Sequence, residues 1–437
     1  MHSLIECIPF LGIILSISLL PLISHDYWHK YSRKILMIWI LIYCGLEISL
    51  FGCEPMFKGI FKSIVHEYIP FVLLVASLFI TTGGIFIDFH RLKKGAITNT
   101  CFLLGGSAMA GWIGTTGASA LLIRPFLRLN EGRKSRAHLV MFFIFLVSNI
   151  GGAASPIGDP PLFMGYLHGV DFFWFIKNMF WHILCVTLAI CAIFFAIDKY
   201  LWNKNDRKLE LKPAPSNRSI TMIGKRNIIL LLGILCALVF CDFEGEFTVL
   251  GTSIKYCALT RDAILVIISL LSIKFSPSRA RKLNEFSYAP VIEVAETFIA
   301  IFITVAPVLE MLALGINGPM KCVFSALSPN GILEPFRCFW GVGVLSSFLD
   351  NAPTFLIFFF LAGGNALNLM TENAAYLVTI SLGTVFMGAM TYIGNAPNLM
   401  MKSIAIESGI KMPSFFAYMF LTMAVLLPIL LVLSLML

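Results

Sequence analysis

Most of this chain consists of apolar segments about as long as a membrane is thick. A hydrocarbon core of about 30 Å needs about 20 helical residues, and ten segments approach or exceed that length: residues 4–23, 34–51, 67–88, 137–165, 172–197, 227–243, 261–275, 288–316, 373–404 and 414–437. With 58% hydrophobic and only 13% charged residues, the composition excludes an ordinary soluble domain. The sequence predicts an all-α polytopic membrane protein that is embedded in the lipid bilayer.

Two of these segments are interrupted by similar polar motifs. Residues 155–161 read SPIGDPP, and residues 391–398 read TYIGNAPN. Proline removes a backbone donor and glycine weakens a helix, so we expect broken helices at 137–165 and 373–404. Lipid cannot satisfy the backbone groups that such a break frees. Breaks at membrane depth therefore line protein cavities, where ions and substrates bind.

Two further apolar segments, 95–127 and 333–363, are rich in glycine and have polar centres, GTTGAS and LDNAP. Basic residues flank the first segment on both sides: Arg91, Lys93 and Lys94 before it, and Arg128, Arg133, Lys134 and Arg136 after it. By the positive-inside rule both of its ends are cytoplasmic, which predicts a re-entrant hairpin. The second segment has few basic neighbours, and we expect it to enter from the opposite side.

The loop charges also divide the chain into two halves. A basic linker, residues 199–226, is predicted to be cytoplasmic and to separate residues 1–198 from residues 227–437, each half with five spans and one hairpin. An odd number of spans turns the second half upside down, which predicts an inverted repeat. The matched residues are Ile157 with Ile393, Gly158 with Gly394, Pro161 with Pro397 and Asp159 with Asn395. We expect the cytoplasmic (inner) membrane as the location, with both termini outside the cytoplasm.

Polar side chains cluster at the breaks and at the predicted hairpin tips. Asp159 and Asp350 are carboxylates near the expected midplane, where an ionisable group costs about 2.5 to 3.5 kcal/mol. Neutral oxygen donors accompany them: Asn149, Asn351, Asn395, Asn398, Ser155, Thr115 and Thr116. Such hard ligands suit sodium rather than a soft metal. The competing interpretation is structural, because Asp and Asn before proline also serve as turn and cap residues.

A buried carboxylate that exchanges a proton for a cation is the minimal machinery of an antiporter. The pattern predicts a secondary transporter that exchanges sodium, or lithium, for protons, without a cofactor. Glu293 and Glu296, near the cytoplasmic start of the eighth span, are expected either at the interface or on a proton path.

Other functions fit less well. A sodium-coupled carrier of citrate-like carboxylates, or of another anion, is the alternative. Two midplane aspartates would repel a polyanion, and no arginine is expected near either break, although Arg124 is close to the first predicted hairpin. An intramembrane hydrolase would need a motif such as HExxH, which is absent from the sequence. The basic residues responsible for the net charge of +8 lie in short loops between the apolar segments, where they act as topology signals. This placement argues against nucleic acid as a partner. A passive scaffold leaves both breaks unexplained.

The motifs also resemble a known family. SNIGGAASPIGDPP at residues 148–161, followed by LFMGYLHGVDFFW, resembles bacterial NhaD-type sodium/proton antiporters of the ion transporter superfamily, which also contains citrate and arsenite carriers. LDNAP and IGNAPN are similar to that group's second hairpin and second broken helix. The resemblance implies an elevator-type carrier, often a homodimer.

The same resemblance places cation coupling at five positions: Asn149, Asp159, Asp350, Asn351 and Asn395. One departure concerns the first hairpin tip. Those antiporters usually have an Asp-Asn pair there, whereas this chain is expected to have Thr116 and Gly117. The loss of one carboxylate bears on the stoichiometry and on the choice of substrate.

Overall fold

The computed structural model describes residues 3–89, 94–206, 220–328 and 333–437, and most of them are helical. Within these ranges, eight helices are long and apolar enough to cross a membrane. This agrees with the polytopic membrane protein that the sequence predicts. Arg91, Lys93 and residues 207–219 of the predicted linker lie outside the described ranges.

The helices and strands follow one another along the chain as two sets. The helices of the first half are α1 (Cys7–Ile23), α2 (His25–Phe51), α3 (Cys53–Ser63), α4 (Ile69–Gly83), α5 (Ala96–Ile113), α6 (Thr115–Leu129), α7 (Ala137–Leu146), α8 (Pro160–Leu167) and α9 (Trp174–Leu201). Those of the second half are α10 (Arg226–Phe240), α11 (Tyr256–Phe275), α12 (Ser278–Leu283), α13 (Ala289–Ala313), α14 (Lys321–Leu327), α15 (Pro335–Phe348), α16 (Asn351–Leu361), α17 (Ala366–Met370), α18 (Ala374–Met387), α19 (Ala396–Glu407) and α20 (Phe415–Ser434). The strands are β1 (Phe86–Phe89), β2 (Ile220–Ile223), β3 (Glu246–Val249) and β4 (Thr252–Lys255).

The third predicted span, 67–88, is wrong at both ends. The helical run begins at Cys53 and passes through α3, a π-helical turn at Ile64–Tyr68 and α4. It stops at Gly83, and Asp88 belongs to β1, which pairs antiparallel with β2 in the predicted linker. Hydropathy alone could not reveal this pairing, because the two strands are far apart in the sequence. The linker is therefore not free of structure, since α9 also extends into it as far as Leu201.

Both predicted breaks coincide with interruptions of the helices. After α7 the chain forms a 3₁₀ turn at Ile150–Ala154, and α8 begins only at Pro160. After α18 a 3₁₀ turn at Gly388–Met390 precedes α19. Both following helices have proline in the first turn, where the missing backbone donor costs nothing.

The two glycine-rich segments each form a pair of helices. Helices α5 and α6 meet at Gly114, whose φ of 81° is unfavourable for residues with a Cβ. A Cβ at Gly114 would also lie 3.3 Å from the Ile157 carbonyl oxygen. Helices α15 and α16 meet at Leu349 and Asp350. The insertion of these pairs from one side of the membrane stays a prediction, as does the inverted repeat.

A buried polar group, which we call the basal network, joins α5, α6, α7 and α9 near the linker. The Arg133 side chain is fully buried and forms ion pairs with Asp198 and Asp206. The remaining members are Asn99, Asn130 and His138, which bond to one another or to Asp198. Buried charges need such compensation, so the network holds the base of the α5–α6 pair against α9.

Candidate functional site

Asp159 lies at the centre of the predicted site. It is the N-cap residue of α8 and is only 1% exposed. Its Oδ1 accepts hydrogen bonds from Thr115 Oγ1 at 2.8 Å and from Asn395 Nδ2 at 3.1 Å. Its Oδ2 accepts one from Asn351 Nδ2 at 2.7 Å. The break before α8 thus brings a buried carboxylate against donors from α6, α16 and the second break.

Two more predicted residues extend this arrangement. Asn395 Nδ2 also lies 3.1 Å from Asn149 Oδ1, and Asn149 Nδ2 donates to Asn398 Oδ1 at 2.7 Å. Asn398 Nδ2 in turn donates to the main-chain carbonyls of Gly388 and Thr391, which belong to the second break. We call Thr115, Asn149, Asp159, Asn351, Asn395 and Asn398 the Asp159 cluster.

Three other predicted site residues lie near the cluster without joining its hydrogen bonds. Ser155 Oγ donates to the Gly111 carbonyl and accepts from the Ile157 amide, so it shapes the break. Thr116 is half-buried and lines a cavity beside Asp159. The Asp350 carboxylate accepts a hydrogen bond from the Ala352 amide at 3.3 Å and caps α16. Asp350 therefore acts as the N-cap of α16, which agrees with the structural interpretation of this residue as a helix cap.

Glu293 and Glu296 are not brought together with Asp159 in the described chain. Glu293 is exposed on α13. Glu296 is half-buried and forms an ion pair with the exposed Arg33 of α2, with 2.7 Å between Arg33 Nη2 and Glu296 Oε1. An exposed pair of this kind is worth little to stability. These contacts give a proton path through the two glutamates no support.

The cavity beside Asp159 is small. Its volume is about 30 Å³, and its walls come from α4, from the start of α6, from the first break and from Phe163 of α8. A volume of roughly 10 to 15 Å³ already holds one water molecule. The cavity therefore has room for a monatomic ion or a water molecule or two beside the carboxylate.

The two halves make matching contacts at the same sequence offset. Asp159 and Asn395 are 236 residues apart, and the same offset relates Thr115 to Asn351. Ser155 Oγ donates to the carbonyl of Gly111, as Thr391 Oγ1 does to that of Ser347. In the first break the backbone of Gly158 packs on the carbonyl of Gly152, and in the second break Gly394 packs on Gly388.

This offset corrects the expected position of the first tip. At this offset the residues of the first half that correspond to Asp350 and Asn351 are Gly114 and Thr115. The sequence alone predicts Thr116 and Gly117 at these positions. Sequence comparison missed the register because the two tips share no identical residue at these positions. The first half thus has its carboxylate in the break, at Asp159, whereas the second half has its carboxylate at the tip, at Asp350.

Sequence reasoning missed one residue that orients the cluster. The Ser346 hydroxyl is fully buried and lies 2.7 Å from Asn351 Oδ1 and 2.7 Å from the Thr384 carbonyl oxygen. It holds the Asn351 amide so that Nδ2 points at Asp159. The only signal in the sequence is a pair of serines, Ser346 and Ser347, within an apolar segment just before LDNAP.

Neutral groups supply every hydrogen bond that the Asp159 carboxylate accepts from the described residues. Within the same ranges, no Lys, Arg or His side chain hydrogen-bonds to the cluster. A buried carboxylate without a cationic partner carries a large desolvation cost. Chemically, such a site favours either a proton or a bound cation on Asp159.

Comparison with known proteins places the chain among transporters. Uncharacterized transporters of Mycobacterium bovis and Mycobacterium tuberculosis are each 25% identical to it over 324 residues, which is 69% of this chain and 68% of theirs. The sequence profile of a family described as "putative citrate transport" matches residues 1–437. Since the match covers the whole chain, this multi-pass membrane protein belongs to that citrate transport family.

Proposed function

We propose that this protein is a secondary transporter that exchanges sodium, or lithium, for protons across the cytoplasmic membrane. The observation that carries the proposal is the buried Asp159 carboxylate, whose described hydrogen-bond partners are all neutral. A proton or a sodium ion would each remove the cost of the isolated negative charge. The two cannot both occupy the carboxylate, and this competition couples their movements.

The neighbouring amides would complete the coordination of the cation. Asn351 and Asn395 turn Nδ2 toward Asp159 in this arrangement, and each amide also carries an oxygen that a rotation would present to an ion. Asn149 already presents Oδ1 within the cluster. Oxygen ligands of this kind suit a hard cation, and a cavity of about 30 Å³ is too small for a tricarboxylate.

We propose that the inverted repeat underlies this site. The contacts matched at an offset of 236 residues support it, because two halves with the same internal packing are what such a repeat produces. In this arrangement the two breaks meet at the midplane, and the positive ends of the helix dipoles at α8 and α16 stabilise negative charge there. Asp350 contributes its charge from the N-terminus of α16.

Respiring everted membrane vesicles with a lumenal pH dye test the exchange. We expect sodium or lithium, but not potassium, to make the lumen more alkaline. Asp159→Asn should abolish this response, because the amide cannot release a proton. Asp171→Asn is the matched control, since Asp171 is exposed in the loop after α8, and it should leave the response unchanged. A wild-type protein that gives no response to sodium would contradict the proposal.

Sodium-coupled transport of a citrate-like carboxylate is the second candidate. The family description favours it, and so does a larger cavity of about 220 Å³ between α4, α6 and α19 that is lined by Arg124. Arg124 pairs there with the exposed Glu285, which a carboxylate ligand would replace. Uptake of labelled citrate, driven by sodium and lost in Arg124→Gln, would establish this function in place of exchange.

A further inference from the structure

A second pair of titratable side chains lies beyond the Asp159 cluster. Glu67 belongs to the π-helical turn between α3 and α4, and His168 directly follows α8. The distance between His168 Nε2 and Glu67 Oε1 is 4.0 Å, and the two side chains are only 21% and 16% exposed. Among the described residues, His168 Nε2 and Glu67 Oε2 are buried and have no hydrogen-bond partner. Two polar groups left unpaired at such close range are unusual in a folded protein.

The same helices connect this pair with the Asp159 cavity. Phe71, one turn along from Glu67, and Phe163, about one turn before His168, both line that cavity. Helix α8 has Asp159 as its N-cap and His168 as its C-cap, about 13 Å apart along the axis at 1.5 Å per residue. The short helix thus carries an ionisable side chain at each end.

The surroundings of the pair are mainly apolar. The rings of Phe359 and Phe360 from α16 lie against the His168 ring, with centroids 5.8 and 5.2 Å away. The helix α8 has no charged residue, and neither does α16.

The charged and titratable neighbours come from the remaining elements. Lys62 of α3 and His66 of the π-helical turn act electrostatically on His168. Lys255 of β4 acts on His66, and Glu296 of α13 acts on Tyr68. Of all these groups, only Glu67 and His168 lie within 4.0 Å of each other as an acid and a base.

We propose that Glu67 and His168 form a proton-binding site that holds one proton between them and connects the Asp159 cavity with the outer surface. With one proton the pair is either a carboxylic acid beside a neutral imidazole or a carboxylate beside an imidazolium. Transfer breaks the O–H bond of Glu67 and forms an N–H bond at His168 Nε2, and the net charge stays zero. A second proton, or none, would leave a net charge in an apolar site.

That the Glu67–His168 pair passes on the exchanged proton rests on the proposed function. That the pair binds a proton does not depend on it. In the proposed topology the N-terminal end of α4 faces the outside, since α4 runs from there toward the basic loops. The π-helical turn is also significant, because such turns occur frequently at functional sites.

Infrared difference spectra of the purified full-length protein, recorded as the pH is changed, test proton binding without transport. We expect Glu67→Gln to remove one protonated-carboxyl band and His168→Gln to shift the pH at which that band disappears. His182→Gln, in α9, should leave the band and its titration unchanged, because His182 is not among the groups that act electrostatically on Glu67 or His168. The proposal is overturned when the bands of Glu67→Gln match those of the wild type, or when His168→Gln titrates as the wild type does.

Proteoliposomes test the role in transport. Sodium-driven proton movement should fall by about 10-fold or more in Glu67→Gln, as for loss of a proton-transfer group, while exchange of labelled sodium for unlabelled sodium should persist. Glu131→Gln is the control, at an exposed glutamate in the loop after α6. Equal loss of both exchange modes would mean a structural role and would overturn the inference. A wild-type protein without sodium-driven proton movement would instead refute the proposed function, and the infrared result would still decide whether the pair binds a proton.

Discussion

The two aspartates of the candidate site, the buried Asp159 and the half-buried Asp350, differ in what their carboxylates contact. Asp159 accepts hydrogen bonds from Thr115, Asn351 and Asn395. Asp350 bonds to the amide two residues ahead in its own helix. The sequence suggests similar roles for them, but the contacts favour Asp159 as the residue that exchanges ligands and Asp350 as a charge held nearby.

Asp350→Asn tests this difference. Asparagine is as good an N-cap as aspartate, so the free energy of unfolding should change by less than about 1 kcal/mol. We expect exchange to persist with a lower sodium affinity, because one negative charge near the site is lost. The measurement is the sodium dependence of proton release in vesicles. Complete loss of exchange would show that Asp350 itself binds the exchanged ions.

Ser346→Ala tests the orientation of the Asn351 amide. Loss of the hydroxyl removes a hydrogen bond to Asn351 Oδ1, worth about 0.5 to 1.5 kcal/mol. Sodium affinity should therefore change by up to about 10-fold. Ser347→Ala is the matched control, since among the described residues that hydroxyl bonds only to the carbonyls of Gly343 and Met387. Equal effects of the two variants would argue against a specific role for Ser346.

The broken helices depend on close contacts between main-chain segments. A Cβ added to Gly158 would lie 2.1 Å from the Gly152 carbonyl oxygen, and one added to Gly394 would lie 2.5 Å from that of Gly388. These distances are far below van der Waals contact, and the obstructing atoms are backbone. The glycines are therefore needed for packing within each break, beyond their effect on helix propensity.

Gly158→Ala should displace the first break and with it the Asp159 carboxylate. We expect a lower midpoint of thermal unfolding in detergent and loss of exchange. Gly105→Ala in α5 is the control, because a Cβ there meets nothing within 4 Å and alanine favours a helix by about 1 kcal/mol. If Gly158→Ala unfolds at the wild-type temperature, the tight packing of the break is not required.

Across the whole molecule, non-local polar contacts hold the elements in place. The basal network secures the α5–α6 pair against α9. Strand β1 pairs with β2, which belongs to the predicted linker. Both features lie at the end of α4 that carries Gly83, away from Glu67. These contacts stabilise the positions, at that end, of the helices that carry the Asp159 cluster.

Arg133→Met tests the basal network. The substitution leaves Asp198 and Asp206 buried without their cation, which costs about 3 to 5 kcal/mol. We expect a clearly lower midpoint of thermal unfolding. Lys134→Met is the control, since the Lys134 side chain is exposed and its backbone bond to Asp206 is kept. An unchanged midpoint in Arg133→Met would mean that the buried ion pairs contribute no net stability.

Much of this architecture could be predicted from local patterns. Span length follows from apolar runs, and the interruptions at residues 155–161 and 391–398 follow from their prolines and glycines. The site residues Asp159, Asn351 and Asn395 were identifiable as polar groups in apolar surroundings. Contacts between distant segments were not predictable, because a single sequence contains no direct sign of them.

Three particular contacts illustrate that limit. The hydrogen bond from Asn149 to Asn398 joins residues 249 positions apart, and the pairing of β1 with β2 joins the end of α4 to the linker. Glu67 and His168 carry no motif that relates them. Each of these contacts becomes visible only when the helices are placed side by side.

The composite origin of the Asp159 cluster has a consequence for biosynthesis. Asn351 follows Asp159 by 192 residues, so at about 5 to 20 residues per second the ribosome needs on the order of 10 to 40 s to deliver it. During that interval the nascent first half has an aspartate with two of its three partners still unmade. The Asp159 cluster is thus completed only when the C-terminal half has been synthesised.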